Sequence, residues 1–165
     1  MSEAGPGVTP PFRIGVIADT HGFLPDAAAK ALAGVDAIIH AGDVGDGYVL
    51  DLLQMIAPVT AVRGNNRCIS EHGLPAVANV RLGGVRVAVA HRLQDLSHGG
   101  VPTDTDVRIV ITGHTHAHAI EEHHGVLRVN PGSPTQPRNG APPSVAIVTI
   151  AGDGEVSAEV RELEG

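Results

Sequence analysis

The stretch TGHTHAH, Thr112 to His118, puts three histidines at alternate positions directly after the apolar run RIVI. On an extended chain, side chains two apart share a face, so His114, His116 and His118 project to one side. Imidazoles grouped in this way serve as metal ligands or as acid–base groups. Further residues capable of such chemistry occur in the same kind of place: Asp19 and His21 in ADTH, Asp43 in AGD, Asn65 in RGN and His91 after VAVA. With His114 and His116 they make two carboxylates, one amide and four imidazoles, more donors than one ion usually takes from a protein. Two divalent ions about 3.5–4 Å apart, sharing a carboxylate, would use them all, and such a pair suits in-line displacement at phosphorus. Mixed nitrogen and oxygen donors without thiolate favour Mn2+, Fe or Zn2+ over an all-oxygen Mg2+ or Ca2+ site.

These residues need elements that end where they stand. FRIGVIAD (12–19) has the β-branched run and polar end of a strand buried on both faces, and PDAAAKALAG (25–34) has the proline start and glycine stop of a helix. VDAIIHAGD (35–43), GYVLDLLQMIAP (47–58) and VTAVRGNN (59–66) continue as strand, helix, strand, an alternation that predicts parallel pairing. The pattern then turns to β: a hairpin over 77–91 around Gly83–Gly84, a strand over 107–114, a hairpin over 117–133 turning near His124–Gly125, and a hairpin over 144–163 turning at GDGE. Segment 92–106 reads as loop with one helical turn. A lone DTH, GD or GNN is commonly just a turn. All five groups fall at predicted strand ends, however, and ligands of open α/β sheets bind outside the carboxyl ends of the strands.

Composition narrows the partners. At 165 residues the chain fits one domain, expected over 12–165, with residues 1–11 a flexible leader. Only Phe12, Phe23 and Tyr48 are aromatic, which removes the platforms that stack single-stranded nucleic acid. A formal charge of −7, from 11 basic and 18 acidic residues, has the wrong sign for gripping phosphate backbones. Bulk nucleic acid is therefore excluded as a partner. No apolar run reaches membrane-helix length, and Cys68 is the single cysteine, so a soluble, cytoplasmic protein without a membrane partner is expected. A homo-oligomer remains open.

The ordered set D-x-H (Asp19, His21), GD (Gly42, Asp43), GN (Gly64, Asn65), His91 and GHTH (Gly113 to His116) resembles the calcineurin-like metallophosphoesterases. IIHAGD, VRGN and VNPGSPTQPR resemble the small single-domain bacterial and archaeal phosphodiesterases within that superfamily, over about residues 12 to 151. The resemblance implies a four-layer α/β/β/α sandwich of two mixed sheets with a dinuclear site. Asp19, His21 and His116 would hold one ion, Asn65, His91 and His114 the other, and Asp43 would bridge both; His118 has no counterpart. Mn2+ is the first expectation, with Fe, Zn2+ and Ni2+ as alternatives. The implied reaction is hydrolysis of a small phosphodiester by a hydroxide held between the cations, with Asp43, Asn65 and His91 acting through the metals. Two dications against Asp19, Asp43 and a hydroxide leave one net positive charge, which a diester monoanion neutralises. The alternatives are a non-catalytic scaffold of the same fold, as in the retromer subunit that it resembles, and a nucleotide-specific phosphohydrolase.

The chain also departs from the pattern. Many members have a histidine after the metal-binding asparagine, placed to protonate the leaving group; here Asn66 stands there, so turnover should depend on a good leaving group such as an aryl oxide. Arg67 and Arg92 replace an acidic residue and a glycine usual in the closest subfamily, and either would offer a substrate phosphate the bidentate grip of a guanidinium. Ser133 and Arg138, in the NPGSPTQPR loop, could also approach substrate. His40 is expected to pack beneath the site, and His72, His98, His123 and His124 to face solvent.

Overall fold

A computed structural model describes residues 10–65, 73–96 and 106–163. Asn66, Arg67, His72 and His98, and residues 1–9 of the expected leader, lie outside the described residues. The expected alternation is present: β1 (Phe12–Ile17), α1 (Asp26–Ala31), β2 (Ala37–His40), α2 (Gly47–Gln54) and β3 (Val59–Ala61). β4 (Val77–Leu82) and β5 (Val85–Ala90) form the hairpin around Gly83–Gly84. A single 3-10 turn at Leu93–Asp95 precedes β6 (Val107–Ile111). β7 (Ala119–His123) with β8 (Val126–Asn130), and β9 (Ser144–Ile150) with β10 (Val156–Glu162), are the remaining hairpins.

The strands make two five-stranded mixed sheets, β10-β9-β1-β2-β3 and β4-β5-β6-β8-β7. In the first, β1, β2 and β3 run parallel and β9 lies antiparallel against β1. In the second, β5, β6 and β8 run parallel. The sheets stack face to face. Ile14, Val16 and Ile39 of the first meet Val87, Val89, Ile109, Ile111 and Val129 of the second, all buried. At about 1.5–3 kcal/mol for each fully buried Val or Ile side chain, this layer is the main source of cohesion.

Side chains alternate across β1 and β2, so Ile17 and Ile38 face outward and pack beneath Ala28 and Leu32 of the α1 segment and Val49 and Leu53 of α2. α1 carries Asp26 in its first turn and Lys30 in its last, both favourable to the helix dipole. α2 is started by Asp46, whose carboxylate accepts from the Tyr48 N–H at 3.1 Å. The outer face of the second sheet, Ala88, Ala90, Val107 and Val110, packs with Leu96 and Leu93. No helix among the described residues is long and apolar enough to cross a membrane.

The strands end earlier than their apolar runs suggest. β1 stops at Ile17 rather than 19, β2 at His40 rather than 43, β3 at Ala61 rather than 66 and β6 at Ile111 rather than 114. At β1, β2 and β6 the reason is the backbone that follows: Asp19, His21, Asp43, His114 and His116 all have positive φ, between 50° and 77°, which a strand cannot contain. Likewise α2 ends at Gln54, where the Met55 and Ile56 N–H groups tighten onto Leu52 and Leu53 carbonyls ahead of Pro58.

Candidate metal centre

Five of the seven non-glycine residues with positive φ among the described residues are expected ligands. A left-handed backbone is costly for a branched polar side chain, and its concentration at one place marks a site that the surrounding fold holds in tension. The tension is supported by cross-links between strand ends. The Asp19 N–H donates to the Gly42 carbonyl at 2.9 Å, and the His21 N–H to the Asp43 carbonyl at 3.0 Å. Two glycines allow this closeness. A Cβ on Gly64 would lie 1.9 Å from Asp43 Oδ1, and one on Gly42 would lie 2.6 Å from the His91 ring.

The strand ends do converge. Donor atoms of Asp19, His21, Asp43 and His116 all lie within 4.8 Å of one another. His116 Nε2 is 3.3 Å from Asp19 Oδ1 and 3.3 Å from His21 Nε2. On the other side, His91 Nε2 is 3.3 Å from Asp43 Oδ2 and 3.6 Å from Asp19 Oδ1. The His91 and His114 rings meet edge to face at 5.1 Å between centroids. The Asn65 amide faces Asp43 and His91, 3.0–3.3 Å from both carboxylate oxygens and His91 Nε2. Asp43 is thus common to both halves. The first sheet supplies Asp19, His21, Asp43 and Asn65, and the second supplies His91, His114 and His116.

This donor set fits a cation. Asp19 Oδ1 is buried and has no hydrogen-bond partner among the described residues, although three imidazoles surround it. A buried carboxylate oxygen facing imidazole lone pairs is repelled by them unless a proton or a cation lies between. Two rings are also set in the right tautomer: His91 Nδ1 lies 2.7 Å from the Ala41 carbonyl and His116 Nδ1 2.7 Å from the Gln136 carbonyl. A carbonyl can only accept, so each Nδ1 carries the proton and each neutral ring turns a lone pair at Nε2 inward.

Protonation follows the same geometry. Burial pushes the Asp19 carboxyl up to about 7, against the pull of His91 and the His114 N–H. Burial lowers His114 and His116 below the usual imidazole value, the Gln136 carbonyl partly offsetting this at His116. His91 is also penalised by burial, but its bonds to Asp43 and Ala41 and the charge of Asp19 win and hold it above that value. At Asp19 and His91 a proton and a cation would thus compete for the same lone pairs.

Behind the ligands lies His40, completely buried. The Gly42 N–H donates to its Nδ1 at 3.1 Å, which leaves the proton on Nε2 to be donated to Thr20 Oγ1 at 3.0 Å; that hydroxyl in turn donates to the Val44 carbonyl at 2.8 Å. The chain of donors ties Asp19-Thr-His21 to Gly42-Asp43. The NPGSPTQPR loop closes the other side. Ser133 Oγ donates to the Asp19 carbonyl at 2.8 Å and accepts from the Gln136 N–H, and Thr135 Oγ1 donates to the Thr20 carbonyl at 3.1 Å. Sequence reasoning did not find Thr20 or Thr135, because hydroxyls flanking a motif look like ordinary turn residues.

A cleft of about 230 Å3 over the centre is lined by His21, Asp43, Asn65, His114, His116 and Arg138. Arg92 lines two adjoining clefts, but its guanidinium makes a bidentate pair with Asp95 at 3.1 and 3.2 Å. His118 is half-buried beside Gly132. His123 and His124 are exposed and stacked edge to face on their hairpin.

The calcineurin-like phosphoesterase superfamily model matches residues 12–153. A probable metallophosphoesterase of Methanocaldococcus jannaschii is 33% identical over 162 residues, covering 92% of this chain and 81% of the relative. The solved structure of an archaeal phosphodiesterase superposes with a TM-score of 0.71 at 25% identity, over 91% of this chain and all (100%) of that one. Vacuolar protein sorting 29 from Cryptosporidium parvum shares the fold, with a TM-score of 0.70 at 23% identity over 95% of this chain and 100% of that one. With the sandwich, the converging donors and the match along nearly its whole length, this chain belongs to the calcineurin-like phosphoesterase superfamily.

Proposed function

We propose that the protein is a dinuclear metal-dependent phosphodiesterase acting on small molecules. Asp19, His21 and His116 would hold one divalent cation, Asn65, His91 and His114 a second, and Asp43 both. The observation that carries this reading is the junction of two donor groups, each drawing residues from both sheets, on the shared Asp43. A pair of divalent cations, Mn2+ first and Fe, Zn2+ or Ni2+ otherwise, would supply Lewis acidity, acidifying water and drawing charge from phosphoryl oxygens.

The chain's own residues do the rest. The described residues of the cleft lining, His21, Asp43, Asn65, His114, His116 and Arg138, are suited to orient and hold. Asp43, Asn65 and His91 would act through the cations they would hold. Ala41 and Gln136 fix the His91 and His116 rings, which sets the donor geometry before substrate arrives. The net charge of −7 and the scarcity of aromatic residues favour a small diester over nucleic acid.

The test is an assay of Mn2+-reconstituted protein on an aryl phosphodiester, beside Asp43→Ala, with bound metal counted in both. Two ions and turnover in the wild type, lost together in the variant, are the expected result. A folded wild type that binds metal yet cleaves no phosphoester would turn the reading toward a non-catalytic scaffold.

A further inference from the structure

We propose that Arg138 is the group that binds the substrate's phosphoryl oxygens, presented over the metal centre by a loop built to hold its backbone still. The proposal rests on the phosphoesterase reading above and adds a residue to it. Arg138 is exposed and lines the cleft that His21, Asp43, Asn65, His114 and His116 also line. No hydrogen bond or ion pair engages its guanidinium among the described residues, although carboxylates stand nearby. Its charge nonetheless acts on Asp19, His114 and His116.

The backbone beneath that free side chain is pinned at both ends. The Arg138 N–H donates to the His116 carbonyl at 3.0 Å, and its own carbonyl accepts from the Ala141 N–H at 3.0 Å. The second bond closes a four-residue turn whose central residues, Asn139 and Gly140, have φ of 59° and 74°, the two positive values of a tight I′ turn. Two residues earlier, the Gln136 carbonyl takes the His116 Nδ1 proton. The loop that orients a candidate metal ligand therefore also fixes the backbone from which the guanidinium reaches over the cleft. A planar fork of donors reaching over a site that would hold cations suits the oxygens of a phosphoryl group. Arg92, the other described candidate, already spends its fork on Asp95.

The experiment is calorimetric titration of inorganic phosphate into Mn2+-loaded protein freed of excess metal, for the wild type, Arg138→Ala, Arg138→Lys and Arg92→Ala. Arg138→Ala should keep its bound metal and melting profile and lose about tenfold in phosphate affinity, the usual scale of a charge-assisted hydrogen bond. Arg138→Lys, with charge but no fork, should fall between. In an aryl phosphodiester assay the loss should appear in KM more than in kcat. Metal-dependent phosphate binding that is unchanged in Arg138→Ala, or weakened only in Arg92→Ala, overturns the role of Arg138 and leaves the phosphoesterase reading standing. A wild type that binds metal but neither binds phosphate nor cleaves the aryl diester overturns both.

Discussion

His40 shows at the scale of one residue how a buried group serves a site that it does not touch. It is neutral because burial pushes its pKa down to about 3, and both ring nitrogens are committed to Gly42 and Thr20. An unfolded histidine titrates near 6.5. Between these values the unfolded chain binds a proton that the folded chain refuses, so the stability present above pH 6.5 is lost as pH falls toward 3. The wild type should lose up to about 1.4 kcal/mol per pH unit more steeply over this window than His40→Gln. Denaturant unfolding of both proteins at a series of pH values measures the difference; equal slopes would mean that His40 does not stay neutral. The residue types of the site were legible in the sequence, since Asp19, His21, Asp43, Asn65, His91, His114 and His116 are chemically capable groups at the ends of apolar runs. The weight to give each arginine was not. Whether a guanidinium is free depends on a neighbour such as Asp95, and residue order offered Arg67, Arg92 and Arg138 alike as groups that could reach substrate.

At the scale of elements, the apolar runs and glycine turns predict nearly every strand and both helices, because burial on a two-residue or 3.6-residue period is written into residue order. Their ends are less legible. Five of the seven expected ligands, Asp19, His21, Asp43, His114 and His116, sit on left-handed backbone tied by tertiary cross-links, so β1, β2 and β6 close before their motifs begin. α2 illustrates the boundary chemistry that residue order does carry. Asp46 stands one residue before the helix and satisfies the Tyr48 N–H, and the loop it belongs to runs on from Asp43. Asp46→Ala should cost about 1 kcal/mol of stability by removing that cap. Thermal unfolding checks this, and a loss near zero would show that water replaces the carboxylate without penalty.

At the scale of the molecule, the donors come from two sheets that meet face to face, so any cation they share also fastens one sheet to the other. Binding that occurs only in the folded state stabilises it by about 2.7 kcal/mol at a free metal concentration one hundred times Kd. Removing metal with a chelator should therefore lower Tm, and adding Mn2+ should restore it. Asp43→Ala, which lacks the donor common to both halves, should show little of either shift. A metal-independent Tm in the wild type would argue against a cation between the sheets.

Residue order alone determined the elements, the chemical types at their ends and the family, because hydrophobic period, turn-forming glycines and motif spacing are all local or ordered along the chain. Only the tertiary structure decided the partners. The C-terminal hairpin β9–β10 looks like a continuation of the β-rich half, yet it returns to pair with β1 in the first sheet. That return is a long-range pairing with no local signature. Likewise TGHTHAH offers three histidines on one face, but only the fold separates them: His114 beside His91, His116 beside His21 and Asp19, and His118 beside Gly132. Spacing along a strand sets the side on which a residue points, and the groups it meets there are set by the packing of the other sheet.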